Sequence, residues 1–192
     1  MANWTIDINC DVGEGVGNET ELFPLISSCN IACGGHAGDV DTMTHIVRLA
    51  KKHNVKIGAH PSYPDRENFG RQVMDISKQE LQQSIEEQMK TLEAILENEH
   101  AELHHIKAHG ALYNKTAKDR DLAETYLEVI HPYKNRVLLY VPFGSVIADV
   151  ALDQGFAIWY EAFGDRNYNS DLSLVNRKLD NALIQDPKKV LE

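Results

Sequence analysis

The residues able to do chemistry recur at one kind of place in this sequence, directly after short apolar runs. Asn9, Asp11 and Glu14 come with the first run, and His36 and Asp39 follow the second in Gly34-Gly35-His36-Ala37-Gly38-Asp39. His60 closes the third ahead of Pro61-Ser62-Tyr63-Pro64-Asp65, Lys107 and His109 end the fourth, and Glu161, Asp165 and Arg166 follow the sixth. Asp11, His36 and His60 are of the types that hold a hard or borderline divalent metal, or that act as general base and acid on a carbonyl substrate. Lys107 and Arg166 suit a carboxylate or a phosphate, Arg through its planar fork and Lys as a point charge. A lone histidine after a strand is more often a hydrogen-bonded structural residue than a catalyst. Convergence of three histidines with Asp11, Glu14, Asp39, Glu161 and Asp165 shifts that balance toward one shared active site.

Such convergence needs elements that bring the run ends together. The apolar runs at 5–10, 28–33, 56–59, 104–108, 137–141 and 156–160, most of them rich in Val, Ile or aromatics, read as six strands. Between them, 77–100 places Leu81, Ile85, Met89, Leu92 and Leu96 on one helical stripe, with Ser77 and Glu80 as a capping box and Ile76 with Leu81 as a hydrophobic staple. Further helices are expected over 41–53, over 116–130 with Pro132 as its stop, and over 145–154 with Gly155 as its C-terminal cap. Strands alternating with helices imply right-handed crossovers and a parallel α/β sheet, in which loops at the carboxyl ends of the strands build the site. One domain is expected over 1–192, since no linker, repeat or low-complexity tract divides the chain.

Composition narrows the function. With 19 Lys+Arg against 29 Asp+Glu the formal charge is -10, which disfavours nucleic acid as a partner. No run is long enough to cross a bilayer and no basic n-region opens the chain, so no membrane association and a cytoplasmic location are expected. Cys10, Cys29 and Cys33 form an odd set without a Cys-x2-Cys pair and are read as reduced thiols. Gly13 to Gly17 lacks the third glycine of a dinucleotide loop, and no Walker loop is present. Strand alternation sends His104 and His105 to opposite faces, in packing or surface roles, and Trp4, Trp159 and Tyr160 are expected to fill core or barrel.

Five blocks carry a resemblance: Asp7 to Gly15, Ser28 to Asp39, Ile57 to Asp65, Lys107 to Asn114 and Glu161 to Tyr168. In this order they resemble the blocks of the LamB/YcsF family, to which the A subunit of bacterial 5-oxoprolinase belongs. The resemblance implies a distorted (β/α) TIM-like barrel of the glycoside hydrolase/deacetylase type. It also implies ATP-dependent opening of 5-oxo-L-proline to L-glutamate, with B and C subunits as partners and a divalent cation, Mg2+ with ATP. Asp11, His36, His60 and His109 carry over as catalytic or ligand candidates, with Asp11, His36 and His60 for a metal. Asn9, Glu14, Asp39, Lys107, Glu161, Asp165 and Arg166 carry over as groups for substrate or nucleotide. A metal-dependent deacetylase or amidohydrolase of the same fold is one rival, and the other is a truncated binding subunit without catalytic activity. Gly35 stands where the family pattern has an aromatic residue, which predicts looser packing beside His36, and Gly164 stands where it has Ala. The family pattern continues past Glu192 through a strand and a His-Gly-Asp block, so the expectation is a barrel lacking its C-terminal strand and one site group. At 192 residues against about 250 for an eight-unit barrel, the length agrees with that expectation.

Overall fold

The computed structural model describes residues 5–190. Trp4 lies outside the described residues. Strands β1 (Asn9–Val12), β2 (Ser28–Ala32), β3 (Lys56–His60), β4 (Leu103–Ile106), β5 (Leu138–Pro142) and β6 (Ile158–Glu161) form one parallel sheet in sequence order. The helices are α1 (Glu19–Leu22), α2 (Val40–His53), α3 (Lys78–Asn98), α4 (Gly110–Thr116), α5 (Arg120–Ile130), α6 (Val146–Asp153) and α7 (Pro187–Val190). No described helix is long and apolar enough to cross a membrane.

The sheet curls into a half-barrel. In a flat sheet, β1 and β4 would stand about 14 Å apart at about 4.8 Å per strand. Yet Lys107, just past β4, places its Nζ 3.1 Å from Asp11 Oδ1 on β1, and the Tyr140 hydroxyl of β5 donates to Asp7 at 3.2 Å. The register explains the two faces. Ile31, Ala59, Ile106 and Leu139 lie side by side and are buried with Ile46 and Val47 of α2, Leu92 of α3, Tyr126 and Leu127 of α5 and Val150 of α6. One position earlier, Asn30, Gly58 and His105 align on the concave face, which is therefore polar.

Local chemistry sets the helix ends. Ser77 and Glu80 form the capping box of α3, Ser145 caps α6 by accepting from the Ala148 N–H, and Gly155 after α6 has φ of 78°, a backbone state that glycine enters at little cost. The helix expected over 116–130 starts later, at Arg120, because Thr116 is the last residue of the separate short helix α4. Asp119, extended at φ -118° and ψ 109°, accepts from the Leu122 N–H and starts α5 afresh, and Pro132 falls in the 3-10 turn His131–Tyr133 that ends it. Strand β1 starts at Asn9 rather than at residue 5. Tyr160 is 52% and Trp159 42% exposed, so neither is core, although Trp159 stacks on Tyr140 at 5.7 Å.

Strand β4 departs from plain alternation. The register shifts between Ile57 and Gly58, where β4 carries an extra residue, a bulge that re-aims side chains. His104 and His105 consequently touch, Nδ1 to Nδ1 at 3.1 Å, rather than facing opposite ways. His105 is fully buried, bonds Asn30 Oδ1 through Nε2 at 2.7 Å and stacks on Tyr140 at 4.1 Å. Its ring occupies the space above Gly58, where a Cβ would stand 2.1 Å from Nε2. Gly35 is likewise crowded: a Cβ there would meet Ser62 Oγ at 2.4 Å and Gln88 Oε1 at 2.5 Å. The packing beside His36 is therefore tight, contrary to the looseness its glycine neighbour predicts.

Candidate active site

At the carboxyl end of the strands Lys107 organises the carboxylates. Its Nζ lies 2.8 Å from Glu161 Oε1, 3.1 Å from Asp11 Oδ1 and 3.3 Å from Asn9 Oδ1. Asn30 donates to Asn9 Oδ1 at 2.6 Å and to Asp11 Oδ1 at 2.8 Å, which fixes the remaining Asp11 oxygen. Burial alone would discharge Lys107, but Asp11 and Glu161 outweigh it and hold the ammonium above its ordinary range. Burial would likewise raise the Asp11 carboxyl, and the Lys107 ammonium beside it keeps it well below the usual carboxylate range instead. Tyr113, its hydroxyl beside Glu161, is pushed well up, first by burial and then by that carboxylate.

Three imidazoles close the other side. His60 Nδ1 is 2.8 Å from the Lys107 carbonyl, and its Nε2 is 3.3 Å from Asp11 Oδ2 and 2.9 Å from His109 Nδ1. His109 Nε2 is 2.9 Å from the Phe69 carbonyl. His36 stacks on His109 with centroids 3.6 Å apart and planes 3° from parallel, and its Nε2 is 2.9 Å from Glu14 Oε1. Burial pushes His36 down, and burial together with His60 and His36 pushes His109 down to about 2. Phe69 presents its ring edge-on to both and holds φ of 56°, a strained state for a non-glycine residue, so one residue supplies the packing and the carbonyl that orient the pair.

The structure thus brings together Asn9, Asp11, Glu14, His36, His60, Lys107, His109 and Glu161. Three expected residues stand apart. Asp39 is the N-cap of α2, its carboxylate accepting from the Thr42 N–H at 2.8 Å. Arg166 is buried with its guanidinium donating to the carbonyls of Val175 at 2.7 Å and Ala182 at 3.3 Å, so it clamps the loop after β6 rather than an anion. Asp165 is exposed beside it. Of the trio expected for a metal, Asp11 and His60 are adjacent, but His36 turns to Glu14. The donors within 4.8 Å of one another are those of Asp11, Glu14, His60 and His109. Asn30, Phe69 and Tyr113 complete the site without having been anticipated. Asn30 left a signal, as an amide in the middle of a largely apolar run. Cys29 and Cys33 are buried free thiols raised by burial to about 12, whereas Cys10 is half-exposed.

A curled parallel α/β sheet with buried ionisable groups at the carboxyl ends of its strands defines a barrel-type protein with its candidate site at the strand exits. The chain belongs to the LamB/YcsF family, whose model matches residues 6–192. It is 41% identical to the 5-oxoprolinase A subunit of Pyrococcus furiosus, over 97% of this chain and 75% of that protein. It is equally 41% identical to the corresponding A subunit of Haemophilus influenzae strain PittEE, over 97% of this chain and 76% of that one. The lactam utilization protein of Thermus thermophilus superposes with a TM-score of 0.90 at 37% identity, covering 97% of this chain and 78% of that chain.

Proposed function

We propose that this chain is the A subunit of an ATP-dependent 5-oxoprolinase that acts in the cytoplasm. The observation that carries the reading is the convergence of three histidines, Asp11, Glu14, Glu161 and Lys107 at one mouth, in a chain so similar to proteins named as A subunits of 5-oxoprolinase. In the reaction, water adds across the lactam: the C–N bond breaks, the carbonyl carbon becomes the side-chain carboxylate of glutamate, and the ring nitrogen becomes its amine. A five-membered lactam is a stable amide, and transfer of the ATP γ-phosphoryl to its carbonyl oxygen, leaving ADP, would open that carbon to water, with the phosphate released as the ring opens. Lys107 is committed to two carboxylates and Arg166 to two carbonyls, so neither is free to hold the phosphates, and in this reading ATP with its Mg2+ is bound in the complex with the B and C subunits. This chain then supplies the pocket in which the lactam opens. Exposed Arg71, stacked over Phe69 at 4.7 Å, is the cation at the rim suited to the substrate carboxylate.

The test follows glutamate release from 5-oxoproline and ATP by the full chain, with and without the B and C subunits. Release only in the complete mixture is expected. The donor set of Asp11, Glu14, His60 and His109 favours a second reading, a metal-dependent amidohydrolase. Hydrolysis of a simple amide or acetyl substrate without ATP, with the complete mixture inert toward 5-oxoproline, would establish that reading and sink the first.

A further inference from the structure

The facing nitrogens of His60 and His109 pose a problem that neither ring solves. A backbone carbonyl accepts and never donates. His60 therefore carries its hydrogen on Nδ1, toward the Lys107 carbonyl, and His109 carries its own on Nε2, toward the Phe69 carbonyl. What remains are two lone pairs, His60 Nε2 and His109 Nδ1, 2.9 Å apart and with the rings nearly perpendicular at 88°. The next groups are also acceptors: Asp11 Oδ2 is 3.3 Å from His60 Nε2, and Glu14 Oε1 is 3.4 Å from His109 Nδ1. One proton can bridge one of these pairs and leaves the other acceptors facing each other. A cation satisfies all of them at once.

We infer that Asp11, Glu14, His60 and His109 form a binding site for one divalent cation of the borderline class, such as Zn2+, Mn2+ or Co2+. Scale supports it. Ligand atoms held tetrahedrally at about 2.0–2.1 Å from zinc are about 3.3 Å from one another. Three of the six separations, 2.9, 3.3 and 3.4 Å, bracket that value, and all four atoms lie within 4.8 Å of one another. Charge supports it as well: among the described residues Lys107 is the ammonium paired with Asp11 and Glu161, and Glu14 pairs with imidazoles alone, leaving negative charge that a divalent ion offsets.

The outer partners are those that metal ligands need. Each imidazole is oriented by a backbone carbonyl through its other nitrogen. Asp11 Oδ1 is held by Asn30 and Lys107, so that Oδ2 is left toward His60, and Glu14 is held by His36. This arrangement replaces the trio of Asp11, His36 and His60 by a quartet in which His36 is an orienting residue. The site stands on this geometry and does not rest on the lactam-opening reading.

The full chain, stripped with a chelator and re-equilibrated with Co2+ or Zn2+ before dialysis, is the material for the test. One metal per chain by elemental analysis is expected, with visible Co2+ absorption and a raised melting temperature. His60→Gln and the isosteric Asp11→Asn should each lose the bound metal while keeping the wild-type circular dichroism spectrum. His36→Gln should weaken binding by about 10–100-fold. Cys10→Ser should bind as the wild type does. Substoichiometric metal in the wild type with an unchanged melting temperature would overturn the site without recourse to any variant. Retention in both His60→Gln and Asp11→Asn, or loss in Cys10→Ser, would place the ion elsewhere and overturn it equally.

Discussion

Lys107 and Glu161 form an ion pair of 2.8 Å with their side chains only 4% and 5% exposed, linking the exit of β4 to the end of β6. With Asp11 as the second carboxylate on the same ammonium, the pair ties both ends of an open sheet to its middle. Removing one partner strands a buried charge, so Lys107→Met should cost about 3–5 kcal/mol. Glu161→Gln in the same background should restore part of that loss, because fewer carboxylates are then left unpaired. A double-mutant cycle from urea unfolding checks both statements, and strict additivity would refute the coupling.

Removal of His60 or His109 from the reacting centre should cut turnover by about 100-fold or more in the complete enzyme mixture, with the fold retained. The steady-state rate of glutamate release per folded chain is the measurement. Near-normal turnover of either alanine variant takes that residue out of the chemistry.

Acid should destabilise the fold before carboxylate titration begins. Burial depresses His36, His105 and His109 below the ordinary histidine value of 6.5, so the unfolded chain binds protons that the folded chain refuses. Their contribution is fully present above about pH 6.5 and is lost as the pH falls from there toward the depressed values. Asp11, held well below 3.8, adds a further loss only below that pH. Urea midpoints between pH 7.5 and 5 should fall with pH, and His105→Gln should flatten the curve. A midpoint that rises on acidification contradicts this account.

Gly58 owes its identity to the ring of His105. Gly58→Ala should cost about 1–3 kcal/mol by overpacking, since the new Cβ overlaps the imidazole and the His105 to Asn30 bond must break. The same substitution in a His105→Ala background should cost much less. Thermal melts of the four proteins decide it, and an equal cost in both backgrounds would remove His105 as the cause.

Asp39→Ala should lower the melting temperature by removing the α2 cap, while 5-oxoproline turnover per folded chain stays at the wild-type level. A selective loss of turnover would return Asp39 to the site from which its capping geometry separates it.

Much of this architecture is written in local pattern. Apolar runs separated by amphipathic stretches specify six parallel strands, because strand and helix periodicities are properties of neighbouring residues. Ser77 with Glu80 specifies the start of α3, and the chemistry-bearing residues stand at the strand exits where a parallel barrel must place them. Which of those residues meet was decided by contacts distant in sequence. The curl of the sheet brings Lys107 against Asp11 and Glu161, and the bulge in β4 turns His104 toward His105. The loop after β6 consumes Arg166 on carbonyls 9 and 16 residues away, and the Phe69 carbonyl, 40 residues from His109, decides which nitrogen of that ring faces His60. Residue types and periodicity select the candidates, but hydrogen-bond direction and side-chain aim depend on the path of the whole chain, and only the folded structure supplies that path.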